Sequence, residues 1–304
     1  MDVLLEIADT YLLDGVYTKL VPLGLSQTLP SPFEVAANLT SSSTLSAWPR
    51  SYIPRQILSL SIISILGSHI LYFLLASISY YTIFNHEMMR HPRFLPNQIK
   101  LEIKTSLQAF PTMTLLTLPW FLGEVRGFSR LYDSVQDQWG GWWYLVGSIP
   151  VYLLFTDYCI YWIHRWLHHP LLYKTLHKPH HKWIIPTPFA SYAFHPLDGY
   201  LQSIPYHLFV FIFPMHRILY IGFFIAVMFW TILIHDSDMI TGHPLERIIN
   251  GPAHHTLHHM YFTVNYGQYF TWADRAGNSY RHPEPSLDPL LEVNMEKERR
   301  QKHD

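Results

Sequence analysis

The chain has 304 residues and a formal net charge of −1, with 49% hydrophobic and only 14% charged residues. Soluble domains carry about 25% charged residues, so the shortfall points to lipid contact, and the near-zero charge excludes nucleic acid as a natural partner. A single cysteine, Cys159, excludes a disulfide framework, a Cys-x-x-Cys zinc site and an iron–sulfur cluster.

Residues 1–54 carry Asp2 and Glu6 where a secretory signal would be positive, and no long apolar run follows. They are expected to form a short amphipathic segment and then a Ser/Thr/Pro-rich loop with a glycosylation sequon at Asn38. Residues 57–84 hold no Asp, Glu, Lys or Arg over 28 positions, more than the roughly 20 that cross a bilayer. His69 within this span reads as a helix-packing residue. Residues 105–123 are apolar but interrupted by Pro111 and Pro119, which suggests a kinked or re-entrant helix. Residues 141–163 form the next apolar helix, with Trp142, Trp143 and Tyr144 at its start, where aromatic rings favour the membrane boundary. Residues 201–234 are apolar around Pro214, His216 and Arg217, the pattern of two short helices in a hairpin.

Arg90, Arg93, Lys100 and Lys104 follow the first span, and Arg165, Lys174, Lys178 and Lys182 follow the third apolar helix. Basic flanks mark the cytosolic side. The expected fold class is an all-α integral membrane protein with about four transmembrane helices in two hairpins and a cytosolic, helical, histidine-rich di-metal domain. Its parts are a lumenal segment (1–54), transmembrane helices (55–163), a cytosolic stretch (164–200), a membrane hairpin (201–234), a second cytosolic stretch (235–282) and a polar tail (283–304).

Most of the 20 histidines fall between His164 and His259, in three clusters. These are His164 and His168; His177, His180 and His181; and His255, His258 and His259. Residues three or four apart share a helical face, so the clusters aim imidazoles in groups toward common points. Pro179 fits the first turn of a helix, which is expected to begin near Lys178. A catalytic zinc takes about three protein ligands, so this many histidines calls for two metals, with His235 as a ninth candidate ligand. Imidazole suits zinc, copper, iron and nickel alike. A site against the bilayer meets lipidic substrates whose C–H bonds are unactivated; redox-inert zinc does not break these, and iron with molecular oxygen does.

Ligating imidazoles donate their other N–H to a carboxylate or carbonyl. Asp157, Asp198, Asp236 and Asp274 each lie near a histidine segment and are candidates for that role, at least two of them being expected to fill it. His169, His195, His243 and His254 are left out of the ligand set, His243 as a turn residue. No dinucleotide fingerprint, P-loop or appended cytochrome b5 signature occurs, so reducing electrons would have to come from a separate protein docking on the cytosolic face.

The order His-x-x-x-His, His-x-x-His-His, His-x-x-His-His among membrane helices resembles the fatty acid hydroxylase/sterol desaturase superfamily over roughly residues 144–280. Finer features resemble its fungal sterol C-5 desaturase branch: Asp157-Tyr-Cys-Ile-Tyr-Trp-Ile-His164, Phe194-His-Pro196, Ile234-His-Asp236, and the long run from His254 to Arg275. The resemblance implies a multi-pass enzyme of the endoplasmic reticulum membrane with a non-haem di-iron centre and its histidine boxes facing the cytosol. It implies oxygen as co-substrate, electrons from cytochrome b5 and NADH-cytochrome b5 reductase, and a C5–C6 double bond placed in a Δ7-sterol on the ergosterol route. The boxes match residue by residue, and His235 matches the isolated histidine after the last apolar segment. One departure stands out: some members carry a second histidine four residues on, where this chain has Met239, so either His235 or His254 completes that metal's ligands. The same ligand set would also serve a lipid hydroxylase or C-4 methyl oxidase, and more remotely a membrane metal carrier.

Overall fold

A computed structural model describes residues 1–23 and 46–302; the Asn38 sequon lies outside them. The described residues are mostly helical. In order come α1 (Asp2–Ala8), a π-helical turn (Asp9–Leu13), α2 (Asp14–Leu20), α3 (Ile53–Thr82), α4 (Gln98–Val125) and α5 (Gly141–Leu167). Then follow α6 (Pro196–Ile212), α7 (Arg217–Leu233), α8 (Pro252–Tyr261), α9 (Trp272–Ala276) and α10 (Leu290–Gln301). Two-residue strands β1 (Leu131–Tyr132) and β2 (Met215–His216) pair in parallel.

Among the described residues two helices, α3 and α5, are long and apolar enough to cross a membrane; α7 is apolar but shorter, at 17 residues. Helix α4 is one continuous helix of 28 residues through Pro111 and Pro119 and not a re-entrant pair. A proline removes one rung of the ladder, and a helix flanked by apolar packing absorbs that loss. Helix α5 likewise passes through Pro150, and it continues one turn beyond residue 163, so that His164 lies on the helix and His168 caps it.

The chain forms two compact units, Met1–Leu66 with Thr117–Phe128, and Gly67–Leu116 with Ser129–Asp304. In the first, Leu5, Leu13, Tyr17, Leu60, Leu118 and Phe121 make the core. The buried Arg55 reaches Asp9 at 2.6 Å, and the N-terminal ammonium reaches Glu124 at 2.7 Å, so neither buried charge is left unpaired.

The second unit carries the histidines. Tyr152 and Ile160 of α5, Tyr206, Phe209 and Val210 of α6, and Tyr220 of α7 pack into one cluster. A second cluster joins Tyr72 of α3, Phe110 of α4 and Ile232 of α7 to Phe189. Gln98, Glu102, Ser106 and Phe110, four apart, share one face of α4. That face holds the strap between the second histidine cluster and α6. Glu102 accepts from the Thr187 hydroxyl, from Thr187 N at 3.3 Å and from Gln98 Nε2 at 2.7 Å. Gln98 Nε2 also donates to Ile185 O at 2.8 Å, and Tyr72 Oη donates to Phe189 O at 2.8 Å. His69 packs edge-on against Phe110, their centroids 5.0 Å apart.

Candidate metal centre

Each histidine segment has its own local cause. The last turn of α5 carries His164, and the first cluster ends with His168 at the helix cap. The expected helix from Lys178 does not form: a π-helical turn, Tyr173–His177, ends there, and residues 178–182 continue as turns that accommodate Pro179, which needs no donor. Helix α8 starts with Pro252 in its first turn and stops at Phe262, whose φ of 66° is left-handed. His255, His258 and His259 lie buried along it.

The structure gathers nine imidazoles into two groups, each with its ligand atoms within 4.8 Å of one another. One group is His164, His168, His177, His181 and His258; the other is His180, His235, His255 and His259. The expectation that each sequence cluster aims at a common point is corrected here. His180 and His181 part company, and so do His258 and His259. On α8 adjacent residues point about 100° apart, which divides His258 from His259, and the turn at 178–182 divides His180 from His181.

In the first group, His164 Nε2 lies 3.1 Å from His177 Nε2, and His181 Nε2 lies 3.1 Å from His168 and 3.2 Å from His177. His258 Nε2 closes the set at 3.3 Å from His168. In the second, His235 Nε2 is 3.2 Å from His180 and 3.0 Å from His255, and His259 is 3.1 Å from His255.

The partners of the other ring nitrogens decide what these distances mean. His177 Nδ1 is 2.7 Å from Asp198 Oδ2, His164 Nδ1 is 2.9 Å from Tyr266 O, and His258 Nδ1 is 2.7 Å from Val264 O. His235 Nδ1 is 2.6 Å from Thr231 O. A carbonyl oxygen only accepts, as does an ionised carboxylate, so each Nδ1 carries the proton and each Nε2 presents a lone pair. Lone pairs facing each other at 3.1 Å, as at His164 and His177, repel unless a cation lies between them. Metal–nitrogen bonds of about 2.0–2.1 Å place neighbouring ligands about 3.0 to 3.4 Å apart, which the separations fit. Burial first, and neighbouring imidazoles second, hold His181, His255, His258 and His259 well below the usual imidazole range, and burial brings His235 down to about 4. The neutral form that ligates a metal is therefore the resting form.

Of the four aspartates, only Asp198 touches a histidine of the two groups. Asp157 Oδ1 instead accepts the backbone N–H groups of Gln268, Tyr269 and Phe270 at 3.1, 2.7 and 3.2 Å. Asp274 accepts from Tyr266 N at 2.9 Å, Gly267 N at 2.8 Å and Ser279 Oγ at 2.8 Å. It therefore acts one step back, on the peptide whose carbonyl meets His164. Asp236 caps its own turn, accepting from Asp238 N at 2.9 Å. The expectation of at least two direct carboxylate partners is corrected: backbone carbonyls of Tyr266, Val264 and Thr231 take the place of side chains, and carbonyls leave no mark in a sequence.

His235, not His254, joins the second group. Met239 packs with Ala253 and Leu257 as a core residue, and His254 lies against Tyr280 with centroids 5.8 Å apart. His169, His195 and His243 each precede a proline and cap a short turn or helix, Nδ1 accepting from Leu171 N, Leu197 N and Leu245 N at 3.4, 3.2 and 3.2 Å.

Residues 149–279 match the fatty acid hydroxylase family. A Delta(7)-sterol 5(6)-desaturase of Aspergillus fumigatus is 52% identical over 95% of this chain and 92% of its own length. Another from Gibberella zeae is 52% identical over 96% of this chain and 93% of its own. A lathosterol oxidase of Homo sapiens is 54% identical over 78% of this chain and 79% of its own. No solved structure matches the chain.

Proposed function

The chain belongs to the fatty acid hydroxylase family, as an oxidoreductase similar to its sterol desaturases, and on that premise we propose that it introduces the C5–C6 double bond into ring B of a Δ7-sterol, on the ergosterol route. The observation that carries this reading is the convergence of nine imidazoles, four of them with Nε2 left free by an Nδ1 partner, in a chain 52% identical to a relative named for that reaction. Each group would hold one iron ion, which supplies the power to reduce oxygen and break unactivated C–H bonds.

The electrons balance as follows. The sterol loses two hydrogens from neighbouring carbons. Oxygen takes up four electrons, two from the broken C–H bonds and two from outside, and with two further protons leaves as two waters. Cytochrome b5 with its NADH-dependent reductase is the proposed source of the outside electrons. The chain's own residues prepare the site. Asp198 and the carbonyls of Tyr266, Val264 and Thr231 hold protons at Nδ1 and keep Nε2 free for metal. Eight of the nine imidazoles are buried, which keeps bulk water from most of their ring nitrogens. In this reading the apolar helices α3 to α7 supply about four spans of the endoplasmic reticulum membrane, residues 1–54 are lumenal and the histidines face the cytosol.

The test is product chemistry. Expressed in a host that accumulates Δ7-sterols, the chain gives the conjugated 5,7-diene, seen by its ultraviolet spectrum, and His258→Ala gives none. Under 18O2 the diene carries no label. A labelled sterol alcohol without diene would instead identify a hydroxylase built on the same ligands.

A further inference from the structure

The segment that supplies His177 and His181 has a second row of residues. Tyr173, His177 and His181, four apart, turn toward the first metal group; His177 and His181 have ring centroids 4.8 Å apart, and Tyr173 and His181 5.9 Å. One residue beyond each, Lys174, Lys178 and Lys182 are exposed. None of these lysines has an ion pair among the described residues, whereas Arg55, Arg90, Arg93, Lys297 and Arg300 each face a carboxylate. Residues 158–197 contain no aspartate or glutamate at all, so nothing within the stretch neutralises the row. Tyr173, the residue before Lys174, has its ring 5.4 Å from that of His168, the most exposed of the nine candidate ligands.

We propose that Lys174, Lys178 and Lys182 form the docking surface for an acidic one-electron carrier protein, which presents its redox group toward the His168–Tyr173 edge. The proposal rests on the functional reading above: two outside electrons per double bond require a one-electron carrier to dock twice in each turnover. A carrier that must leave and return is captured by charge more than by apolar area, and exposed charges act on encounter rate and its salt dependence. An anionic lipid surface offers the same charge. The row begins next to Tyr173, whose ring meets that of the most exposed candidate ligand, His168, which matters to electron entry and not to lipid binding, so the protein partner is favoured.

The test uses the full iron-loaded chain in phosphatidylcholine nanodiscs, with the soluble haem domain of cytochrome b5 kept reduced by its reductase. For the triple variant Lys174→Gln, Lys178→Gln, Lys182→Gln, KM for the haem domain rises about tenfold at low ionic strength and its salt dependence flattens, while kcat at saturating carrier stays within about twofold. The corresponding triple Lys→Arg variant behaves as the parent. Iron content reports the integrity of each variant; if the triple Gln variant loses iron, Lys178→Gln alone replaces it, with an expected rise of about threefold. An unchanged KM and salt slope overturn the proposal. So does an effect that appears only when phosphatidylserine is added to the discs, because the row would then serve lipid. Failure of the functional reading is distinct: the unsubstituted chain itself would give no diene with this carrier.

Discussion

His180 and His181 are neighbours in the chain and fall in different candidate metal groups. The identities of the candidate ligands were legible because imidazoles three and four apart are rare by chance. Their allocation was not, because it depends on how an irregular turn at 178–182 is rotated against α8. The carboxylates show the same limit: Asp157, Asp236 and Asp274 lie close to histidines in sequence but spend their oxygens on backbone N–H groups. Two substitutions separate these roles. Asp198→Asn removes the anionic partner of His177 Nδ1 and is expected to weaken metal retention about 10- to 100-fold, read as iron content after dialysis against a chelator. Asp157→Asn weakens the clamp on three backbone N–H groups, so the thermal midpoint falls, by the equivalent of about 1–3 kcal/mol, while the folded fraction keeps its iron. Met239→His adds no ligand, because position 239 packs against Ala253 and Leu257; metal analysis should still give two ions per chain, and the buried imidazole lowers stability by about 1–3 kcal/mol.

At the scale of elements, the apolar helices were readable from composition, and their ends were not. Helix α5 reaches Leu167 because its last two turns, with Tyr161 and Arg165, are held by the loop beyond α9. Arg165 Nη1 donates to Gly277 O at 2.7 Å, and Tyr161 Oη meets Ser279 Oγ at 3.1 Å. A Cβ at Gly277 would collide with Tyr161 Oη and approach Arg165 Nη1 to 2.6 Å. Gly277→Ala is therefore expected to cost about 1–3 kcal/mol, measured as a lower thermal midpoint, although Gly277 touches no ligand. A midpoint equal to that of the parent would show that the loop yields without cost. The strap pinned by Glu102 was likewise invisible in sequence: a glutamate between Lys100 and Lys104 carries no sign that Thr187, 85 residues away, is its partner.

For the whole molecule, orientation is the expectation that follows from the basic residues after the first and third apolar stretches. In sealed microsomes a tag fused at Met1 should resist external protease and one fused at Asp304 should be cut; the reverse pattern would invert the topology. The family itself was legible because its histidine pattern survives as short strings, while the division into two metal groups is a property of the folded second unit alone. That division is the centre of the account, and anomalous scattering at the iron edge from crystals of the purified chain tests it most directly. Two iron positions are expected, one among His164, His168, His177, His181 and His258, the other among His180, His235, His255 and His259. A single position, or metal bound by His180 and His181 together, would contradict it.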